Sequence, residues 1–277
     1  MLTREFMQEG VNDPNIFKAV FMAGAPGSGK TYVARKLGLQ AAGLRTVNSD
    51  EVFEYLLKKH QLDPKMPPEE QEKRDIVRQR AKQVTSNRRD YYLENGLGMI
   101  IDGTAKDYKK IEGIKFLLEG IGYQTMMIFV NTSLSTALER NRNRERSVPD
   151  DIVKKSHAEV QKNVENYRYI FQTGWSPEWR TDIVMYDYQG KRIDYGPKIR
   201  TYPSFIEVFN DADTDFTPAY QKVQQFLRTP LKPHAQRWVN MQRQRNLRKY
   251  DYDDYDDDYD DYDDDDEIER NIPGTLY

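Results

Sequence analysis

The chain has 277 residues, which is enough for one or two domains with a large core. It has no cysteine, which excludes disulfides and thiolate metal sites, and its three histidines lie too far apart in sequence to suggest a histidine metal site. No apolar run has the length of a signal peptide or a membrane span, so we expect a cytoplasmic protein without a membrane segment.

The formal net charge of -3 conceals two parts of opposite sign. From residue 251 onward there are twelve Asp, two Glu and one Arg, a net charge of -13, and subtracting this from -3 leaves +10 for residues 1–250. A basic body is compatible with a polyanionic partner such as nucleic acid. A tail that merely keeps a basic protein in solution explains the same charges.

Composition divides the chain into a lead-in (1–18), one globular domain (19–230), a basic segment (231–250) and an acidic tail (251–277). The tail cannot bury apolar surface, so we expect it to be disordered. One hypothesis is that this anionic, tyrosine-spaced strip imitates a nucleic-acid backbone and contacts the basic body of its own chain. The alternative is again a solubilising tail.

In chain order, strands are predicted at 18–23, 44–50, 98–102, 123–130 and 205–210. Helices are predicted at 30–42, just after residue 50, and at 68–95, 106–119, 132–144, 149–171 and 217–227. This alternation predicts an α/β fold, a parallel five-stranded sheet with helices on both faces. Two β-rich runs around Gln189-Gly190 predict a β-hairpin inserted at about 180–200.

The first strand leads into a complete G-x-x-x-x-G-K-[ST] motif. Glycines let backbone N–H groups approach a polyphosphate closely, and the following helix directs its positive end at the same group. The pattern predicts binding of a nucleoside triphosphate, ATP in our interpretation, with Lys30 at the β- and γ-phosphates and the Thr31 hydroxyl on Mg²⁺. The predicted nucleotide-binding residues are Gly24, Ala25, Pro26, Gly27, Ser28, Gly29, Lys30 and Thr31.

Two strand ends carry carboxylates that would face the ligand crevice. Asp50 follows the second strand and is interpreted as the base that orients an acceptor hydroxyl, although an N-cap on the next helix would also explain it. Asp102 ends the third strand in "IIDGTAK" and could hold Mg²⁺-bound water or the acceptor, or be a structural cap. Asp102 is followed by Gly103, whereas a motor-type ATPase usually carries a second acidic residue at that position. The sequence also lacks the Asn-Lys-x-Asp motif by which a GTPase recognises its base. Both observations favour phosphoryl transfer to a hydroxyl over these two classes.

Two basic stretches could serve the same chemistry. The run "ERNRNRERSVPDD" places four alternating arginines at a helix end that passes into a loop, where several guanidiniums could converge on phosphate. The helix predicted at 68–95 carries Arg74, Arg78 and Lys82 at spacings of four, a basic face that could receive an anionic substrate. Taken alone, each stretch is explained more simply as a solvated basic face.

Together, "GAPGSGKT", "VNSD", "IIDGTAK" and "ERNRNRERSVPDDIVKKSHAEVQKNVENY" resemble P-loop kinases of the zeta-toxin and polynucleotide-kinase type, which have an AAA-like domain. The resemblance covers about residues 17–172. A similar arginine-rich lid in polynucleotide 5′-kinases leads into Val-Pro and a helix ending in tyrosine, here Tyr167. An acid, a glycine and a threonine at a strand end, as in Asp102-Gly103-Thr104, are similar to zeta toxins. Composition and lead-in also resemble phage-encoded proteins, for which the location would be the host cytoplasm.

The resemblance implies a P-loop NTPase kinase fold with ATP and Mg²⁺ as cofactors. It implies Asp50 as the base and lid arginines at the γ-phosphate, assigned here to Arg142 and Arg146, so that the catalytic set is Lys30, Asp50, Arg142 and Arg146. The loop after the fifth strand would meet adenine through Asn210 and Asp211. The acceptor stays open: a hydroxyl of a nucleic-acid end, a nucleotide sugar or a small metabolite. The alternative function is an ATP-hydrolysing or ATP-gated binding protein without an acceptor.

Overall fold

The computed structural model describes residues 10–64, 67–144, 146, 148–172, 199–201, 204–211 and 214–253. Its strands are β1 (Lys18–Ala23), β2 (Arg45–Val47), β3 (Met99–Asp102), β4 (Gln124–Asn131), β5 (Ile199–Thr201) and β6 (Phe205–Phe209). They form one sheet in the order β2-β3-β1-β4-β6-β5. All neighbours are parallel except β5, which pairs antiparallel with β6 at the edge. The predicted five-stranded parallel sheet is confirmed, and the edge strand β5 is an addition to it.

Helices lie in the chain between the parallel strands, because parallel strands need a long crossover connection. They are α1 (Lys30–Lys36), α2 (Ser49–Lys59), α3 (Gln71–Glu94), α4 (Tyr108–Gly120), α5 (Leu134–Arg142), α6 (Asp150–Gln172), α7 (Thr217–Leu227) and α8 (Pro233–Asp253). A single 3-10 turn, Pro68–Glu70, precedes α3.

Both faces of the sheet are covered, because its strands bury alternate side chains on opposite sides. On one face, Val20 and Met22 of β1 pack with Ile128 of β4 against α1 and α7. On the other face, Phe21 meets Phe171 of α6 with ring centroids 5.3 Å apart. Arg168 of α6 and Glu207 of β6, both buried, form an ion pair at 3.3 Å on that side. The predicted layers of helix, sheet and helix are therefore present.

Helix α1 is shorter than the expected 30–42. It ends at Lys36 because Gly38 adopts a positive φ of 67° and the amide of Leu39 bonds back to the carbonyl of Ala34 at 3.1 Å. This is the left-handed glycine termination common at helix C-termini. A short turn then carries the chain to Gly43, the glycine at which the sequence pattern had placed the helix end.

The appended segments are only partly described. Of the hairpin predicted at about 180–200, residues 180–198 lie outside the described residues, and Ile199 and Arg200 belong to β5. The chain divides into two compact units, Met1–Arg237 and Trp238–Tyr277. The basic segment is helical, and α8 continues to Asp253, so residues 254–277 of the acidic tail lie outside the described residues. Within the described ranges, no helix combines the length and apolar character needed to cross a membrane.

Candidate active site

The glycine-rich loop joins the buried strand β1 to α1 and packs tightly against its surroundings. Gly27 has a φ of 83°, and a Cβ there would lie 2.2 Å from the backbone carbonyl oxygen of Ala137 in α5. A Cβ at Gly24 would lie 2.5 Å from the carbonyl oxygen of Val130 at the end of β4. At Gly24 and Gly27 a side chain is thus excluded both by the backbone conformation and by the neighbouring backbone.

Lys30, the first residue of α1, folds back over the loop. Its Nζ donates to the carbonyl oxygens of Gly24 at 2.9 Å and Ala25 at 3.4 Å. Burial lowers the pKa of Lys30, and the charge of Asp102 opposes this more strongly than that of Asp50 does. Asp50 and Asp102 are therefore both close enough to Lys30 to stabilise its charged form electrostatically. Thr31, the next residue, is exposed.

Asp50 lies in the first turn of α2, between two arginines from other elements. Arg78 of α3 contacts its Oδ1 at 2.7 Å, and Arg146, from the segment between α5 and α6, contacts the same oxygen at 3.5 Å. Burial by itself would raise the pKa of Asp50, but the hydrogen bonds and charges of Arg78 and Arg146 outweigh it and hold that pKa below its ordinary value. Both guanidiniums also lie over the ring of Phe53, 4.7 and 5.5 Å from its centroid.

Neither Asp50 nor Asp102 caps the helix that follows it. Asn48 caps α2, since its Oδ1 accepts from the backbone amide of Asp50 at 2.7 Å. Asp107 caps α4 by accepting from the amide of Lys110 at 3.1 Å. The alternative interpretation of the two strand-end carboxylates as helix caps is therefore wrong.

Asp102 presents one bonded oxygen and one unbonded oxygen. Its Oδ2 accepts from Asn48 Nδ2 at 2.7 Å, whereas its buried Oδ1 has no hydrogen-bond partner among the described residues. Burial raises the pKa of Asp102, although Lys30 lowers it in part. A carboxylate oxygen of this kind fits a hard cation such as Mg²⁺. In the described part of the chain no cluster of three His, Asp or Glu side chains could hold a metal by itself, so Mg²⁺ would depend on ATP, Thr31 and Asp102.

The two lid arginines assigned from the sequence have different surroundings. Arg146 forms ion pairs with Asp50 and with Glu54, whose carboxylate oxygen lies 3.1 Å from its Nε. Arg142, the last residue of α5, instead forms an exposed ion pair with Asp150 at the start of α6. The structure thus brings Arg146 together with Asp50 and places Arg142 on a different acid.

Two further arginines of the same run lie near the P-loop, and the sequence pattern alone did not single them out. Arg140 donates to the carbonyl oxygens of Asn210 at 2.6 Å and Asp211 at 2.9 Å. Arg144 acts through its charge on both Lys30 and Asp102. Only their place in the alternating run pointed to them.

Asn210 and Asp211, the residues assigned to adenine, make contacts within the protein. Asn210 Nδ2 donates to the carbonyl of Ser28 at 2.8 Å, so this side chain supports the P-loop backbone. Asp211 accepts from the Thr132 hydroxyl at 2.7 Å and the Ser133 amide at 3.0 Å. These bonds link the loop after β6 to the P-loop and to the start of α5.

Helix α6 holds the loop that follows Asp102. Tyr167 is fully buried, and its hydroxyl donates to the carbonyl of Ala105 at 2.6 Å, where Ala105 has a positive φ of 55°. Asn163 donates to the carbonyl of Lys106 at 2.8 Å. The same loop accepts the amide of Gly24 at the Thr104 carbonyl, at 3.4 Å, and so adjoins the P-loop directly.

A cavity of about 210 Å³ lies next to Asp50, because two of the residues that line it are Arg146, which contacts Asp50, and Glu54, which contacts Arg146. One part of its wall is apolar and the rest carries charged side chains, mostly cationic. The lining residues are Glu54, Leu57, Lys58, Leu62, Pro64, Arg144 and Arg146.

The model of one protein family, described as an AAA domain, matches residues 20–167. This segment is more than half of the chain and contains the P-loop, Asp50, Asp102 and the arginine-rich run. Among curated proteins no sequence matches the chain.

Three solved structures give distant likenesses. A candidate kinase from Chloroflexus aurantiacus J-10-fl is 16% identical, with a TM-score of 0.44, over 79% of this chain and 98% of that one. A gluconokinase from Sinorhizobium meliloti 1021 is 10% identical, with a TM-score of 0.39, over 76% and 92%. A chain of the PezAT toxin–antitoxin system of Streptococcus pneumoniae is 15% identical, with a TM-score of 0.39, over 58% and 65%.

Proposed function

This chain belongs to the AAA domain family, and from that premise we propose that it is an ATP-dependent kinase that phosphorylates an alcohol hydroxyl. The observation that carries the proposal is the convergence of four groups at one end of the sheet. Lys30 lies on the P-loop within electrostatic reach of Asp50 and Asp102, and Arg146 contacts Asp50. A cationic phosphate cradle beside a carboxylate is what phosphoryl transfer to a hydroxyl requires.

In the proposed reaction the acceptor oxygen forms a bond to the γ-phosphorus, and the bond from that phosphorus to the β–γ bridging oxygen breaks. ADP leaves, and the hydroxyl proton passes to Asp50. Arg78 and Arg146 both contact Oδ1 of Asp50. We therefore propose that the other oxygen, Oδ2, accepts the proton of the acceptor hydroxyl. Lys30 balances charge on the β- and γ-phosphates, and Arg146 is the lid arginine best placed to reach the transferred group.

Mg²⁺, held by the Thr31 hydroxyl and Asp102, would supply further positive charge at the phosphates when bound. The unbonded, buried Oδ1 of Asp102 supports this assignment. Asn210 and Asp211 remain the proposed adenine neighbours through the loop they form, and Arg142 remains a second lid candidate that would first have to leave Asp150.

We place the acceptor in the cavity beside Asp50. Lys58, Arg144 and Arg146 outnumber the acidic Glu54 in its lining, and three apolar residues complete the wall. This chemistry favours an acceptor that carries both an anionic group and an apolar surface. A nucleic-acid end, a nucleotide sugar and a phosphorylated metabolite all carry such an anionic group. Within the family we propose kinship to kinases of the zeta-toxin and polynucleotide-kinase type.

The test is transfer of label from γ-labelled ATP to pooled acceptors: oligonucleotides with free hydroxyl ends, nucleotide sugars and small metabolites. Label in an acceptor fraction supports the kinase. Label found only in free phosphate would indicate the alternative, an ATP-hydrolysing or ATP-gated binding protein. Lys30→Met provides the background, since it keeps an unbranched side chain of nearly the same length and removes its charge.

A further inference from the structure

We propose that Asn48 is a positioning residue, which fixes the two site carboxylates relative to each other through the two ends of one amide group. The inference rests on the proposed function, and it concerns a residue to which the sequence pattern gave no role. Asn48 lies between β2 and α2, in extended conformation, immediately before the helix that carries Asp50.

The two hydrogen bonds of Asn48 determine how its amide is oriented. Asn48 Oδ1 accepts from the backbone N–H of Asp50 at 2.7 Å, and Asn48 Nδ2 donates to Asp102 Oδ2 at 2.7 Å. A backbone N–H can only donate and an ionised carboxylate can only accept, so the reverse orientation would lose both bonds. The amide is therefore held from two elements, α2 and β3.

Asparagine is the side chain that meets both demands. Asn, Asp and Ser cap helix N-termini about equally well, and Thr caps them somewhat less well. An Asp at position 48 would cap α2 but would set a second carboxylate against Asp102. A Ser would cap α2, but its hydroxyl is too short to span from the α2 amide to Asp102 in the way that the asparagine amide does. The cap alone thus does not explain the residue found here.

The contact has a consequence for Asp102. Because Oδ2 is bonded by Asn48, Asp102 presents its other oxygen, Oδ1, which is buried and has no hydrogen-bond partner among the described residues. The same amide holds the first turn of α2, and with it the backbone of Asp50. Asn48 would accordingly set the distance between the proposed base and the proposed Mg²⁺ ligand.

The test compares three variants. Asn48→Ser keeps the cap and removes the donor, Asn48→Asp keeps the cap and replaces the donor by a repelling oxygen, and Asn48→Ala removes both. The thermal unfolding temperature reports whether the helix cap is kept. The ATP affinity, measured by calorimetry with and without Mg²⁺, reports whether Asp102 is still positioned to bind Mg²⁺. Steady-state transfer to the acceptor found above adds kcat and KM.

We expect Asn48→Ser, which keeps the cap, to unfold near the wild-type temperature and Asn48→Ala to unfold lower. Asn48→Asp should also unfold lower, because its carboxylate repels that of Asp102. We expect both cap-keeping variants to lose about 10- to 100-fold of the Mg²⁺-dependent part of ATP affinity, with a loss in kcat of similar size and little change in acceptor KM. In Asn48→Ser, which adds no charge, the ATP affinity measured without Mg²⁺ should equal that of the wild type.

The proposal would be overturned if Mg²⁺ strengthened ATP binding in Asn48→Ser and Asn48→Asp as much as it does in the wild type. It would also be overturned if the loss of Mg²⁺-dependent ATP affinity followed the loss of thermal stability across the three variants. Absence of any Mg²⁺ effect in the wild type would overturn it too. Because ATP binding needs no acceptor, these outcomes are separate from failure of the kinase proposal, which would show as wild-type protein that labels no acceptor.

Discussion

The carboxylate of Asp102 loses more hydration energy on burial than its partners in the protein restore. Its pKa is raised because burial outweighs the attraction of Lys30, so the ionised form is less favourable in the folded chain than in the unfolded chain. An acid with a raised folded pKa destabilises the fold at neutral pH, and this cost disappears as the pH falls below the unfolded pKa. Such a cost is typical of a site kept for ligand binding.

We therefore expect Asp102→Asn to increase the free energy of unfolding at pH 7 by about 1 kcal/mol while weakening Mg²⁺-dependent ATP binding. The amide can still accept from Asn48, so that contact is kept. Urea unfolding at pH 7 and at decreasing pH measures the effect, and the gain should shrink towards acid pH as Asp102 becomes protonated in the wild type. A variant that is less stable than the wild type at pH 7 contradicts this account of Asp102.

Asp50 shows the opposite shift, and Arg78 is its strongest favourable partner. We expect Arg78→Gln to move the acid limb of the pH profile of kcat/KM upward by about one pH unit, because burial then acts on the Asp50 carboxyl with less opposition. Arg80→Gln, an exposed arginine on the same helix, is the matched control. An unchanged acid limb in Arg78→Gln would show that Asp50 does not govern that limb.

At the scale of residues, sequence reasoning found the carboxylates but not their partners. Asp50 and Asp102 were predictable because the carboxyl ends of parallel strands face the ligand crevice. Asn48 was not, since its donor function depends on Asp102, 54 residues away. Four alternating arginines gave no means of choosing between Arg142 and Arg146, because that choice depends on how the chain passes from α5 into α6.

At the scale of elements, the P-loop is the most constrained connection. A Cβ at Gly27 meets backbone at 2.2 Å, whereas a Cβ at Gly29 meets the side-chain amide of Asn210 at 2.4 Å, and this side chain can move. Both glycines have positive φ, at 83° and 87°, so conformational strain is similar and the neighbours decide the difference.

We expect Gly27→Ala to lower the free energy of unfolding by about 3 kcal/mol and Gly29→Ala to lower it by less. Gly113→Ala, in α4 where a Cβ meets nothing within 4 Å, should instead stabilise by roughly 0.5–1 kcal/mol. Urea unfolding of the three variants in one series measures the ranking. Equal losses at Gly27 and Gly29 would be evidence against the close packing of the loop on α5.

The element boundaries show what local patterns could and could not supply. Strand β1 was predicted at its observed bounds because an apolar run ends at a glycine motif. The predicted C-terminal end of α1 was wrong because two glycines, Gly38 and Gly43, could each terminate the helix. The sequence does not show that the termination occurs at Gly38. The edge strand β5 has three residues and pairs with a strand that begins four residues later, which is too short a pattern to predict.

At the scale of the whole molecule, the alternation of strands and helices predicted the parallel sheet with two helical layers. The order of the strands was not predictable, since it depends on which crossovers pack together. Charge divides the chain at a different point from the fold, because residues 254–277 carry a net charge of -11 and residues 1–253 carry +8, whereas the two compact units meet after Arg237.

If the acidic tail competes for the basic body, its removal should tighten binding of single-stranded DNA or heparin at low salt. Deleting residues 254–277 removes ten Asp, two Glu and one Arg and leaves α8 whole. The gain should vanish at high salt, where charges are screened within a few ångströms. Replacement by an uncharged segment of equal length is the control for tail length, and an unchanged low-salt affinity in both variants would end the hypothesis.

The central claim is that the carboxylate of Asp50 serves transfer at the P-loop without serving nucleotide binding. Asp50→Asn tests it most directly, with γ-phosphate transfer to an acceptor and ATP affinity measured on the same preparation. We predict loss of transfer by at least about 100-fold with ATP affinity nearly unchanged. Transfer at the wild-type rate in this variant would contradict the account.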